Sequence, residues 1–279
     1  MDKFSTIDIE KLGDAELQSL ADEFRWWHTI QLRPNVETRG AAKSKQYLAG
    51  ELKNAALPPL KGLTVLDIGA WDGFYSFYAE QQGAARVVAN DGFIWATNDW
   101  LRPDEPPKPP LVEIDIPQIR SVVEQPLSRH RRYRPDLMRG AIPFQIAHRA
   151  LNSRVEPVYC PFEELPRYGF GAFDVVIFFG VLYHLEDPVA SLKRLRMLTK
   201  GMVAVQTHAT EFAGFTTPVA EFFPGAELAD DVSNWWSGNA ACVTGWFRAA
   251  GFSRTDVVSV VPTPAAGIER YHLFVHAYA

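Results

Sequence analysis

The stretch Asp67-Ile68-Gly69-Ala70-Trp71-Asp72-Gly73 sets two carboxylates around a turn that carries two glycines. An apolar run, Leu63 to Leu66, precedes it, and Phe74, Phe77, Tyr78 and Ala79 follow at helical spacing. The pattern reads as strand, turn, helix. Glycine lets such a turn close tightly and approach a ligand that a Cβ would obstruct. Asp91 ends the next apolar run, Arg86 to Ala89 with Asn90 between, and is expected to accept ribose hydroxyls at the carboxyl end of a doubly wound sheet. The spacing is Asp67-x-Gly69-x-x-x-Gly73 and not G-x-G-x-x-G. The latter seats a pyrophosphate on a helix N-terminus, and carboxylates would repel that group. Asp67 and Asp72 suit a cation instead, such as a ligand carrying an ammonium and a sulfonium.

With these residues the chain resembles the class I S-adenosylmethionine (SAM)-dependent methyltransferases from about Leu60 onward. The run Phe173 to Phe179, followed by Gly180-Val181-Leu182-Tyr183-His184-Leu185-Glu186-Asp187-Pro188, is similar to that family's fourth strand and the loop after it. Val155 to Glu163 stands where the third strand ends and the adenine loop begins. Trp27-His28-Thr29-Ile30, the Leu182–Pro188 loop and Phe223-Pro224-Gly225 with Asn234-Trp235-Trp236 also resemble the tRNA wobble-uridine methyltransferase-like family, many of whose members are not tRNA enzymes. The resemblance implies SAM as cofactor. Asp67, Gly69, Ala70 and Gly73 are expected at its methionine end, Asp91 and Gly92 at the ribose, Phe162 with nearby backbone at the adenine, and Gly180 and Tyr183 beside the methyl group. Two departures stand out. Trp71 occupies a position often small in the family, and the acids after the third strand are Glu163 and Glu164 and not a residue near Pro161.

Methyl transfer is an in-line displacement from an activated donor, so proximity and alignment dominate. A general base helps when the acceptor must lose a proton. His184, after the fourth strand, and His28, beside Trp26 and Trp27, are the candidate bases, because histidine titrates near neutrality. Each serves equally well as a packed pocket wall. His208 and Glu211 are expected in a loop after the fifth strand, and His272 and His276 in the last strand. Trp27, Asn234, Trp235 and Trp236 are candidate acceptor contacts, since indoles offer flat apolar walls with one polar edge. Arg131 and Arg132, within Arg129-His130-Arg131-Arg132-Tyr133-Arg134, offer an anion clamp or a solvated charged face. No His, Asp and Glu grouping has metal-ligand spacing, so no metal is expected.

The elements that position these residues follow from periodicity. Residues 1–59 read as a helical cap: one or two amphipathic helices over 7–25, a short extended piece near Ile30, and a helix over 41–55. Residues 60–279 read as the SAM-binding domain. Its expected elements are strands at 63–68, 86–90, 155–159, 174–179 and 202–207, with helices at 73–82, 144–152, 188–199 and 239–250. Such alternation means an α/β Rossmann-like doubly wound, mostly parallel sheet, closed by a C-terminal antiparallel hairpin over 254–260 and 269–277. A proline-rich insertion over about 93–142 reads as a lid or recognition element.

Composition narrows the partners. The 279 residues are 47% hydrophobic and 22% charged, with a net charge of −5, ordinary for a globular protein. That acidity argues against a general nucleic-acid binder while leaving a local basic groove open. Cys160 and Cys242 are the only cysteines and are expected reduced. The N-terminus has no signal pattern, and no apolar run reaches spanning length, so a cytoplasmic protein is expected, its oligomeric state open. The favoured function is methylation of a small molecule on oxygen, perhaps an anionic natural-product or sugar intermediate. The rivals are a tRNA wobble-uridine methyltransferase, an NAD-dependent oxidoreductase and a non-catalytic SAM-binding protein.

Overall fold

A computed structural model of the chain describes residues 8–96, 139–263 and 269–279. In chain order the elements are α1 (Asp14–Asp22), β1 (Trp26–His28), β2 (Gln31–Arg33), β3 (Val36–Glu37), β4 (Gly40–Lys43), α2 (Lys45–Ala55), β5 (Thr64–Ile68), α3 (Phe74–Gln81), β6 (Arg86–Asp91), α4 (Ile142–Ala150) and β7 (Glu156–Tyr159). Then come β8 (Phe173–Phe179), α5 (Pro188–Met197), β9 (Thr199–Thr210), β10 (Ala220–Phe222), β11 (Trp236–Gly238), α6 (Ala240–Ala249), β12 (Arg254–Thr263) and β13 (Arg270–Tyr278). The alternation of parallel strands and helices from β5 to β9 is the expected Rossmann-like α/β fold.

Two compact units divide the chain. The first comprises residues 1–51 and 69–161. Here β6 and β7 pair in parallel, Asp91 opposite Tyr159. Phe77, Phe144 and Trp95 pack in a row beside them, with ring centroids 5.3 and 4.9 Å apart. The segment expected as a helical cap contains four short strands besides its helices. Parallel β1 and β4 pair through Trp26 and Gly40, and antiparallel β2 and β3 pair through Gln31 and Glu37. Buried Trp26, His28, Ile30 and Leu32 alternate with more exposed residues. That period of two is the signature of a strand, and strands stand where the short extended piece was read near Ile30. Strand β4 takes residues 40–43, so the second helix begins at Lys45 and not near residue 41.

The second unit comprises residues 52–68 and 162–279. Strand β8 pairs in parallel with β5 through Val175 and Val65 and with β9 through Ile177 and Ala204. Its sequence, FDVVIFF, is nearly all apolar and buried, as a strand covered on both faces requires. Strand β9 pairs on its other side with β13, antiparallel, over nine register positions from Met202–Tyr278 to Thr210–Arg270. Strands β12 and β13 form the expected C-terminal hairpin. Asp187 accepts the Ala190 N–H at 3.0 Å and Pro188 opens α5, a favourable N-terminus on both counts. Strand β9 is longer than its periodicity suggests, so His208 lies in the strand and not in a loop beyond it. Most of the proline-rich insertion, with Arg131 and Arg132, lies outside the described residues.

Candidate cofactor and acceptor sites

The turn after β5 belongs to the first unit. Gly69 and Gly73 have φ of +75° and +92°. A Cβ on Gly73 would lie 2.5 Å from the Phe77 ring and 2.7 Å from the Phe144 ring, so glycine is required there for conformation and for space. Gly73 is also the N-cap of α3, and no side chain caps that helix. Its first N–H groups and positive end can therefore meet a ligand carboxylate. Ala70 is buried beside them, its N–H bonded to the Asn90 carbonyl at 3.0 Å. An amino-acid end of a cofactor fits this cradle.

Asp72 does not face a ligand. It is fully buried, its Oδ2 accepts the Trp27 and His28 N–H groups at 2.8 and 2.9 Å, and its Oδ1 bonds His28 Nδ1. This corrects the expectation that both acids of the turn attract a cation: Asp72 is spent on holding the N-terminal segment. His28 is packed against Phe74 and edge-on to Tyr75, at centroid distances of 5.6 and 5.3 Å. With Nδ1 committed to Asp72, Nε2 is its remaining nitrogen. A separate polar cluster joins the Tyr75 hydroxyl to Glu51 and, at 3.0 Å, to Lys43. Sequence reading missed this cluster because its members lie on three separate elements.

Trp71 has φ of +56°, a left-handed conformation uncommon outside glycine. Its indole stacks on Trp27 at 4.3 Å with 21° between planes, and its carbonyl accepts Trp95 Nε1–H at 2.7 Å. Asp91 holds the other side of this loop. Its Oδ2 accepts the Trp71 N–H at 3.1 Å, and its Oδ1 accepts those of Phe93, Ile94 and Trp95 at 2.9, 2.7 and 3.3 Å. Burial pushes the Asp91 pKa up, against the pull of these bonds. A carboxylate has about four lone-pair directions, so a ribose hydroxyl reaches Asp91 only by sharing an oxygen with its own loop. Gly92 lies where a Cβ would come within 2.6 Å of the Cys160 carbonyl.

In the second unit, Asp67 is buried within β5, opposite Ile177 of β8. Phe162 is buried edge-on to Phe178 at 5.4 Å, so its ring belongs to the core. Gly180 leaves β8 with its N–H on the Gln206 carbonyl at 3.0 Å. A single helical turn, Leu182–His184, follows. The segment Asn234-Trp235-Trp236 is docked on this turn: the Trp235 N–H bonds the Tyr183 carbonyl at 2.8 Å, and Trp236 Nε1–H reaches the Glu186 carbonyl at 3.2 Å. The buried Asn234 amide donates to the Leu228 carbonyl at 2.7 Å, while its Oδ1 has no hydrogen-bond partner among the described residues. The two tryptophans flank Phe222, with centroids 6.2 and 4.9 Å away.

His184 is held by residues that sequence reading did not single out. Its Nδ1 lies 3.1 Å from the Ser233 carbonyl and 3.0 Å from Ser233 Oγ. Ser233 Oγ–H in turn donates to Asp231 at 2.7 Å. A carbonyl only accepts, so Nδ1 carries the proton and neutral His184 presents a bare Nε2. Burial lowers the His184 pKa, partly opposed by Asp231 and the Ser233 carbonyl. Tyr183 stacks obliquely on His184 at 4.4 Å and meets His208 edge-on at 5.0 Å, and His208 faces its cross-strand partner His272 at 4.7 Å. Burial and the neighbouring His272, His184 and Arg270 push the His208 pKa down to about 3. Among the described residues no group of three or more metal-ligating side chains gathers, and no helix is long and apolar enough to cross a membrane.

Comparisons with known proteins give the chain's family and its structural neighbours. The profile of the methyltransferase-domain family matches residues 41–256, more than half of the chain. A tRNA U34 carboxymethyltransferase of Pseudomonas putida (strain W619) is 26% identical over 206 residues, covering 73% of this chain and 50% of that protein. One of Idiomarina loihiensis is 33% identical over 89 residues, 31% of this chain and 26% of that protein. The chain spans about half the length, or less, of these relatives. Among solved structures, the N-terminal domain of EvdMO1 with SAH bound aligns over 97% of this chain and 98% of its own, with a TM-score of 0.58 and 17% identity. The same domain in the presence of SAH and D-fucose gives 0.56 and 16% over the same shares.

Proposed function

The chain belongs to the methyltransferase-domain family; from that premise we propose that it is a SAM-dependent methyltransferase that methylates a hydroxyl of a small molecule, with His184 as general base. The observation that carries the reading is the fixed tautomer of His184: Nδ1–H on the Ser233 carbonyl leaves Nε2 as an acceptor. A depressed pKa keeps the ring neutral near pH 7, the state in which it can take a proton. The ring follows β8 at its carboxyl end, where ligands of doubly wound sheets bind.

SAM supplies an electrophilic methyl group on a sulfonium. Within the first unit, the N-terminus of α3, which no side chain caps, would hold its carboxylate, and Asp91 with Gly92 the ribose side. When bound SAM supplied its methyl group to an acceptor hydroxyl, His184 Nε2 would take the hydroxyl proton. Asp231 then favours the imidazolium, which gives its proton to solvent. Asn234, Trp235 and Trp236, docked on the turn that carries His184, are the acceptor walls of this reading.

A screen of hydroxylated small molecules, read by SAH release, tests the proposal. His184→Gln should lower kcat by about 10²–10⁴ with SAM affinity unchanged. Equal turnover in wild type and variant would remove His184 from this role. The structural neighbour crystallised in the presence of SAH and D-fucose supports a small hydroxylated acceptor. The curated relatives named for tRNA U34 support a second reading. Tight, steeply salt-dependent tRNA binding with methyl transfer to it would favour that reading over the first.

A further inference from the structure

The second unit carries an aromatic platform that solvent reaches. Phe222, on the outer strand β10, is 48% exposed. Trp235 and Trp236 flank it and are themselves half-buried. A lone exposed phenylalanine is ordinary on a protein surface. Adjoining aromatic rings inside a polar rim are not, and they mark a binding surface. The platform lies on the acceptor side of the unit, because the Trp235 N–H bonds the carbonyl of Tyr183, the residue before His184.

The charges around it have one dominant sign. Between residues 201 and 247 the chain has five acids and no lysine or arginine. Glu221 precedes Phe222 on β10. The Glu186 carbonyl accepts Trp236 Nε1–H, and the Asp231 carboxylate holds Ser233 through its N–H and its hydroxyl. Of these three acids only Glu221 has an ion-pair partner among the described residues, Arg270 at 3.3 Å. Glu186 stands exposed, and Asp231 is half-buried. The Asp231 charge also reaches His184, whose protonated form it favours. Acids that lack a neutralising partner draw cations toward a surface and turn anions away. The negative faces of the aromatic rings act in the same direction.

Resting on the reading of the chain as a hydroxyl methyltransferase, we propose that this platform selects a flat, cationic acceptor: a hydroxylated aromatic ring with an ammonium side chain. The ring packs on Phe222, Trp235 and Trp236, the ammonium lies in the field of Glu186 and Asp231, and the hydroxyl is the group offered to His184. Such an acceptor has the opposite charge to the anionic one expected from the sequence. A polyphosphate backbone is turned away by the same acids.

Phenols of one shape separate charge from packing in the test: tyramine is the cation, para-ethylphenol the neutral form and para-hydroxyphenylacetate the anion. Each is titrated into the full chain loaded with SAH and followed by saturation-transfer NMR, at low and at high salt. Tyramine should bind tightest and para-hydroxyphenylacetate weakest, and high salt should narrow the difference. Phe222→Leu should weaken all of them. Glu186→Gln should weaken tyramine alone, by up to about fivefold at low salt. Both positions are exposed, so neither variant endangers the fold. Methyl transfer is read separately, as SAH released from SAM. Selective tyramine binding without transfer would support the charge selection and overturn the methylation reading beneath it. Preference for the neutral phenol or the anion would overturn the proposal, as would no binding by any phenol at millimolar concentration. Tyramine binding that survives both substitutions would overturn it too. So would a dimer that Phe222→Leu dissolves, which would give the platform to a second copy of the chain.

Discussion

Gly73→Ala isolates the turn on which the cofactor reading depends. Two separate penalties act at this position. The first is conformational: at φ of +92° an L-residue is strained by about 1–2 kcal/mol. The second is steric. The new methyl group would lie 2.5–2.8 Å from Phe77 and Phe144 ring atoms, and these rings cannot swing away, because they are stacked on each other with Trp95 behind them. Overpacking of a closed core costs about 1–3 kcal/mol. The total is about 2–5 kcal/mol, a fall in Tm on the order of 5–15 °C for a chain of this size. Gly62→Ala is the internal control. Gly62 has φ of +79° with nothing within 4 Å of its missing Cβ, so it carries the first penalty alone. Thermal melts of both variants give the steric part by difference, and calorimetry with SAH gives its effect on the cofactor. SAH affinity should fall for Gly73→Ala and stay near wild type for Gly62→Ala. Equal melting losses, or undiminished SAH binding by Gly73→Ala, would refute the close packing of this turn and its place in the cofactor cradle.

Three further outcomes follow from the sites. In ¹⁵N spectra at pH 7, His184 should show a protonated Nδ1 and a bare Nε2; the opposite tautomer would break the general-base argument. His208 should make the fold acid-sensitive. Its folded pKa of about 3 lies below the ordinary histidine value of 6.5, so its contribution is present above pH 6.5 and is lost as the pH falls toward 3. His208→Asn should flatten the Tm–pH curve over that window, and an unchanged slope would contradict the burial of this ring. Asp91→Asn replaces a four-bond acceptor with a single carbonyl oxygen, and should lower Tm and weaken SAH by about tenfold or more; retained stability would show that the loop Phe93–Trp95 does not depend on the carboxylate.

Much of the architecture was legible because burial imposes periodicity. The apolar run Phe173 to Phe179 and the alternating helices are visible in sequence for the same reason that they fold: a strand covered on both faces has no polar positions to spare. The short strands around Trp26 to Lys43 were not legible as a group, since each is two to four residues long and pairs across intervening turns. The site was readable to the level of a strand, a glycine turn and an acid. What each acid does was not. Asp67 and Asp72 look equivalent in sequence, yet Asp72 is drawn away by His28, 44 residues earlier. The same limit hid Ser233, whose bond to His184 bridges 49 residues, and Asp231, which accepts the Ser233 hydroxyl in turn.

Strand β9 ties its unit together in time as well as space. It meets β8, which precedes it closely in sequence, but its opposite edge waits for β13, about 70 residues later. During synthesis that edge stays open along nine register positions, an apolar strand with unpaired backbone, until residues 270–278 emerge. Long-range pairing of this kind is slow, and an open strand edge invites pairing with another chain. Loss of the final hairpin strand should therefore show itself as aggregation of the nascent or truncated protein before any question of methyl transfer arises.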